Sequence, residues 1–326
     1  MTKTYTVPAE WSRHSATQLH WPSNNEKWTI ESLEKVEEIY CNIIEEFHFY
    51  EPVHLFVDNL EIRNRVMQKL STKAVDLDRV IIHQEKVNDI WARDSGPFFV
   101  KSKEGFLVFG IANSNVPHYV AQKFGLSMIN PEMELEGGKI DSNGVGCLLT
   151  TKSTFPDLVK NHKQDQLKKH TGADQIIWLK SGLLGGETKQ YVDNVARWIN
   201  RTTVLALVTS DKSDENYELL QQNLEILREV TLSDGTPLRI ETLPLTKFKL
   251  NETENDSTNY ILASYCNFYI ANGVVLVPLY RKENDEKALE LFKKYFPGRK
   301  IIGIDCRGLL RRRGSIHAIT QPWYGL

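Results

Sequence analysis

Short apolar runs alternate along the whole chain with stretches of helical hydrophobic spacing, and that alternation limits the fold to an α/β architecture. Ile30 to Phe47 places Ile30, Leu33, Val36, Ile39, Ile43, Ile44 and Phe47 on one face with Glu and Lys between them, which predicts an amphipathic helix. VHLFV (53–57), a polar helix at 61–70 and RVIIH (79–83) follow. Further strands are expected at 98–101, 106–110, 175–179, 203–209 and 300–304, and helices at 117–124, 156–170, 213–229 and 284–296. Glu225 and Glu229 belong to the solvated face of their helix. KIDSNGVGCLLTT and NFYIANGVVLVP predict hairpins turning at Asn143-Gly144 and Asn272-Gly273, with Asn-Gly supplying the positive φ angles of a type I′ turn.

No Pro-, Ser- or Gly-rich linker divides the 326 residues, so one domain spanning 1–326 is expected. A formal charge of -2 gives no broad basic field, which argues against nucleic acid as a partner. The N-terminus lacks an apolar signal region, and no run approaches the roughly 20 apolar residues of a membrane helix; a cytoplasmic protein without a membrane partner is expected. Cys41, Cys147, Cys266 and Cys306 lie far apart without CxxC spacing and read as buried free thiols rather than zinc ligands. No metal or organic cofactor is implied, because no calcium-loop spacing or phosphate-binding glycine loop occurs.

The chemistry-bearing segments are acids beside turn glycines. NDIWARDSGPFFV carries Asp94, ELEGGKID carries Glu136, and GGETKQYVDNVARW carries Asp193. A carboxylate held at a strand end by a tight turn can point into a cleft, and three such acids suggest a convergent acidic pocket. A pocket of this kind suits a cation, above all a planar guanidinium, which pairs with carboxylates through charge-assisted hydrogen bonds. Trp11, Trp21, Trp28 and Trp91 are candidate aromatic walls.

Six segments, in order, resemble the agmatine deiminase and bacterial peptidylarginine deiminase family: PAEW-x-x-H-x-A-T-x-L-x-WP (Pro8 to Pro22), WARDSGP (Trp91 to Pro97), EGG-x-ID (Glu136 to Asp141), T-x-x-x-VDN-x-AR (Thr188 to Arg197), NFYIANG (Asn267 to Gly273) and ID-C-R…G-x-IH-x-IT-Q (Ile304 to Gln321). The resemblance covers nearly the whole chain. It implies the pentein fold, a five-bladed α/β propeller of pseudo-fivefold ββαβ units around a central active-site funnel. It also implies a chemistry in which a Cys attacks the guanidinium carbon, a His in an H-x-D pair moves protons, and acids grip the guanidinium while ammonia leaves. Carried over by motif, Asp94 and Asp193 hold guanidinium nitrogens and Glu136 orients the ligand or the proton-transfer group.

The sequence departs from that pattern where the covalent chemistry resides. The H-x-D pair reads Tyr191-Val192-Asp193, and the terminal IHC-x-T reads Ile316-His317-Ala318-Ile319-Thr320. Ala318 has no nucleophile, and a phenol with an ordinary pKa of about 10 is a poor substitute for imidazole. Gln190 stands where the family has a Gly, and Arg312-Arg313 replace paired glycines. The expected function is therefore that of an agmatine deiminase-like protein that keeps a pocket for a guanidino or amine cation and performs non-hydrolytic acid–base chemistry, with Tyr191, Glu136 and Asp193 as proton carriers. Asp94, Asp193, Trp91, Trp21 and Arg312 are the candidate ligand-binding residues; Arg312, with Arg311 and Arg313, either lies in solvent or binds an anionic end of the ligand. Two other readings stand beside it: a non-catalytic binding or regulatory protein, and a deiminase inactivated by Cys-to-Ala at position 318. A homodimer would be ordinary for such a protein.

Overall fold

The computed structural model describes residues 5–23, 28–131, 133–161, 163–185, 190–249, 260–280, 283–310 and 314–326. It is a mixed α/β structure in which one strand pattern recurs. In the sheet of Phe98–Ser102, Gly105–Phe109 and Ser127–Ile129, the first pair is antiparallel and the third strand returns parallel to the second across helix Val116–Phe124. The same order holds for Ile140–Ser142, Cys147–Thr151 and Gln175–Leu179. It holds again for Ala196–Asn200, Thr203–Val208 and Arg239–Pro244, and for Tyr269–Ile270, Val274–Leu279 and Lys300–Asp305.

A further sheet joins the two ends of the chain. Thr320–Trp323 pairs antiparallel with Ala16–His20, which pairs parallel with Val53–Val57 across helix Ile30–Phe47; Val80–Gln84 adds a fourth strand. Thr246–Lys249 and Tyr260–Ala263 form a separate antiparallel ribbon.

A short helical turn precedes the first strand of each of these five sheets: Ala92–Ser95, Gly137–Lys139, Val192–Asn194, Tyr265–Asn267 and Ile316–Ile319. Each packs against the next, and the last packs against the first, so the turns close a ring. Strand starts thus converge on one place although they are distant in sequence.

The central strands explain themselves by composition. VHLFV and CLLTT are buried along their whole lengths, as strands covered on both faces must be. Helix Ile30–Phe47 is capped by Thr29, whose hydroxyl accepts from the Ser32 amide at 3.2 Å, and it buries Leu33, Val36, Ile39, Ile43, Ile44 and Phe47. Glu225 and Glu229 are exposed as expected, and all four cysteines are buried free thiols.

Two local expectations need correction. The helix predicted over 156–170 is two helices, Pro156–Lys160 and Gln164–Thr171. Both hairpins form, yet neither turn is type I′, because Asn143, Asn272 and Gly273 lack positive φ. Their side chains serve other partners. Asn143 Oδ1 accepts from the amides of Val145 at 3.1 Å and Cys147 at 2.9 Å. Asn272 exchanges hydrogen bonds with the His14 backbone at 2.8 and 3.0 Å. Gly273 is required by proximity instead, since a Cβ there would lie 2.0 Å from the Tyr50 ring.

Three buried imidazoles give the fold a pH dependence. His54 Nδ1 lies 2.8 Å from His83 Nε2, and His20 lies against the Asp89 carbonyl at 3.0 Å. Burial lowers His20 and His54 to about 4 and His83 to about 3. The unfolded chain, with ordinary values of about 6.5, therefore binds more protons below that pH. Stability contributed by these groups is constant above pH ~6.5 and falls as the pH drops from there toward 4. Urea midpoints measured between pH 8 and 5 should be flat at first and then decline; a flat profile down to pH 5 would contradict neutral burial.

Candidate active site

The ring of turns gathers the acids singled out in the sequence. Glu136 immediately precedes the turn Gly137–Lys139, Asp193 lies within Val192–Asn194, and Asp94 lies within Ala92–Ser95. Tyr191, at the start of the third turn, donates its hydroxyl to Glu136 Oε2. Burial pushes the Tyr191 phenol far above its usual range, and the charges of Asp94, Glu136 and Asp193 push it further. The phenol is thus a protonated hydrogen-bond donor at any ordinary pH. Close packing depends on Gly138: a Cβ there would lie 2.8 Å from Tyr191 Cδ2 and 3.1 Å from Asp193 Oδ2. Gly138→Ala should cost about 1–3 kcal/mol through overpacking, measurable as a lowered urea midpoint; an unchanged midpoint would mean that Tyr191 can move aside freely.

Asp193 is oriented from two sides. Its Oδ2 lies 2.8 Å from His317 Nδ1, and its Oδ1 accepts from Asn194 Nδ2 at 3.0 Å. His317 stands in the fifth turn beside the half-buried Ala318. Its other nitrogen, Nε2, lies 2.9 Å from Glu10 Oε2. Both ring nitrogens therefore face carboxylate oxygens, so the imidazole bridges two acids.

Glu10 is the centre beneath the ring. Arg93 Nη2 donates to Oε2 and Arg197 Nη2 donates to Oε1, each at 2.9 Å, and the Ile270 amide adds a 2.9 Å bond to Oε1. Burial raises the Glu10 pKa, but Arg197, His317 and Arg93 outweigh it and hold the carboxyl well below the usual range. Arg197 also reaches Asp141 Oδ2 at 3.2 Å and the carbonyls of Cys266 and Phe268 at 3.3 and 3.2 Å. Burial raises the Asp141 pKa against the opposing pull of Arg197.

The remaining sequence candidates divide. Trp91 is half-buried at the start of the first turn, with Gly314 seated on its indole: a Cβ there would lie 2.2 Å from Cζ3. Trp21 is not an aromatic wall of the cluster. It is 2% exposed, donates to Glu37 Oε1 at 3.3 Å and meets Tyr40 edge-on, so its ring faces belong to the core. Arg312 lies outside the described residues. Gln190 takes a left-handed φ of 47°, a conformation that glycine adopts without strain.

The four cysteines are buried free thiols, and burial disfavours their thiolates. Burial raises Cys41 to about 11 and Cys147, Cys266 and Cys306 to about 12. Among the described residues no group of three or more His, Cys, Asp or Glu is arranged to hold a metal ion.

Sequence reasoning passed over Glu10, His317, Arg93, Arg197 and Lys139. All five sit inside the matched segments, but nothing local marks them: Arg93 and Arg197 need an anion only once they are buried, and their burial is a property of the folded chain.

This geometry has known relatives. The model of the Porphyromonas-type peptidyl-arginine deiminase family matches residues 6–323, and the chain belongs to this agmatine deiminase and peptidyl-arginine deiminase family. Provisionally named agmatine deiminases of Selenomonas ruminantium and Legionella pneumophila (strain Paris) are each 30% identical, with 97% of this chain and 94% of each relative covered. Among solved structures, the C. jejuni agmatine deiminase superposes with a TM-score of 0.82 at 26% identity, covering 98% of this chain and 96% of its own. The fold is that of these deiminases.

Proposed function

We propose that this family member holds a guanidino or amine cation at the ring of turns and acts on it by proton transfer, without the covalent hydrolysis route of deiminases. On this reading the five matching sheets are the blades of a pentein propeller, and the ring of turns is the floor of its funnel. One observation carries the functional part. By the motif resemblance, the nucleophile's place falls on Ala318 and the imidazole's on Tyr191, whose phenol donates to Glu136. Glu136 is the proton acceptor, Tyr191 steadies it, and Asp94 and Asp193 contribute the field that attracts the cation.

The engagement of both Glu136 oxygens, one by the Tyr191 hydroxyl and the other by the Lys139 ammonium at 3.4 Å, favours a second reading, in which the protein binds its ligand without turnover, because a carboxylate held by donors on both sides is a weaker base. Incubation of the protein with an untargeted metabolite mixture, read by mass spectrometry beside calorimetry of the retained ligand, separates the two. Consumption of a cationic ligand without ammonia release supports proton-transfer chemistry, retention without consumption supports binding alone, and failure to retain any guanidino or amine compound sinks both.

A further inference from the structure

At the end of the chain-joining sheet away from the ring of turns lies a pocket of about 490 Å³, within the size range of small-molecule sites. Its place follows from the topology. Ser15, Pro52 and Arg79 each come just before a strand of that sheet, and Gly325 and Leu326 come after Thr320–Trp323. The ring turn Ile316–Ile319 precedes Thr320–Trp323, so the length of that strand, roughly 13 Å, stands between the pocket and the acidic cluster.

Two cations in the lining lack a protein anion. Among the described residues Arg13 and Arg79 make no ion pair and no side-chain hydrogen bond. Arg13 is exposed, whereas Arg79 is half-buried, with its Nε shut off from solvent and unpaired. A guanidinium partly taken out of water without a carboxylate carries a cost that a bound oxyanion offsets through paired, charge-assisted hydrogen bonds. The acid in the same lining is already engaged: Glu51 is 1% exposed, its Oε1 lies 3.1 Å from His14 Nδ1, and its Oε2 accepts from the Asn272 amide at 2.8 Å. Arg299 also feels the Glu51 charge. Even counting a carboxylate at Leu326, Arg13, Arg79 and Arg299 leave the surroundings net positive. Ser15 adds a donor, because its Oγ accepts from the Leu326 amide at 2.8 Å and keeps its hydroxyl proton to give. The Tyr50 ring, seated on Gly273, adds an apolar wall. We propose that this pocket is a binding site for a small organic molecule bearing a phosphate or carboxylate group, with Arg13, Arg79 and the Ser15 hydroxyl holding the oxyanion and Tyr50 flanking the carbon skeleton.

Phenyl phosphate and benzoate are the probes, because both present an aromatic ring to Tyr50 and differ in the oxyanion. Calorimetry on the whole protein should show saturable binding of at least one of them at millimolar concentration, and the tighter of the two tells whether the pocket takes phosphate or carboxylate. Arg13→Gln and Arg79→Gln should each weaken that binding by about tenfold or more, with circular dichroism and the urea midpoint showing that each variant is folded. Arg13 is exposed, so Arg13→Gln decides the matter even if Arg79→Gln does not fold. A wild-type protein that binds neither probe overturns the proposal. So does binding that either folded variant retains at wild-type strength, since the anion would then sit elsewhere. The result is independent of agmatine: failure here leaves the cationic-ligand reading of the acidic cluster untouched, and failure of that reading leaves this pocket untouched.

Discussion

Replacing Glu10 by glutamine should cost about 3–5 kcal/mol of folding free energy, because it removes a charged partner shared by three buried side chains. Arg93, Arg197 and His317 all meet its carboxylate at 2.9 Å. A glutamine carbonyl can satisfy one guanidinium, but its amide then points a donor at another donor. The wild-type pair geometry says little about net stabilisation, since burying charges is itself costly; removing one partner is different, because the desolvation of the others is then uncompensated. Urea denaturation at pH 7 measures the loss. A change below about 1 kcal/mol would show that water or side-chain movement rescues the arginines.

Ala318→Cys alone should leave ammonia release from agmatine or arginine at background, whereas Ala318→Cys combined with Tyr191→His should exceed the single variant by about 10²–10⁴-fold, the usual contribution of a positioned general acid–base group. The reason is local. A new thiol needs a base to form the nucleophilic thiolate, and Tyr191 cannot be that base while burial and the charges of Asp94 and Glu136 keep it protonated. An imidazole at 191 would face Glu136 in the phenol's place. Robust deimination by the single variant would show that the phenol suffices and that Tyr191 is more than a donor to Glu136.

Much of this architecture is legible in the residues. The strands at 53–57, 175–179 and 203–208 and the helix at 30–47 follow from apolar runs and hydrophobic period alone, the third ending one residue before the expected 209. The convergence of Glu136, Asp193 and Tyr191 follows from turn glycines and motif order, because glycine permits the close approach seen at Gly138. Long-range polar partners are not legible. Nothing local in Pro8-Ala9-Glu10 says that Glu10 will meet Arg197 and His317, which join it only when the two chain ends enter one sheet. The turn type expected at Asn272-Gly273 fails for the same reason: the asparagine is held by His14, a contact of very long sequence separation. Trp21 reads as an aromatic wall because aromatic residues beside acids often are, yet its indole N–H is engaged by Glu37.

The most direct measurement follows agmatine with the unmodified protein, recording heat of binding and ammonia release in parallel. The expected result is a saturable binding isotherm with ammonia no higher than in a protein-free control. Ammonia formed in proportion to protein concentration would contradict the proposal that this protein acts on its ligand without the covalent route.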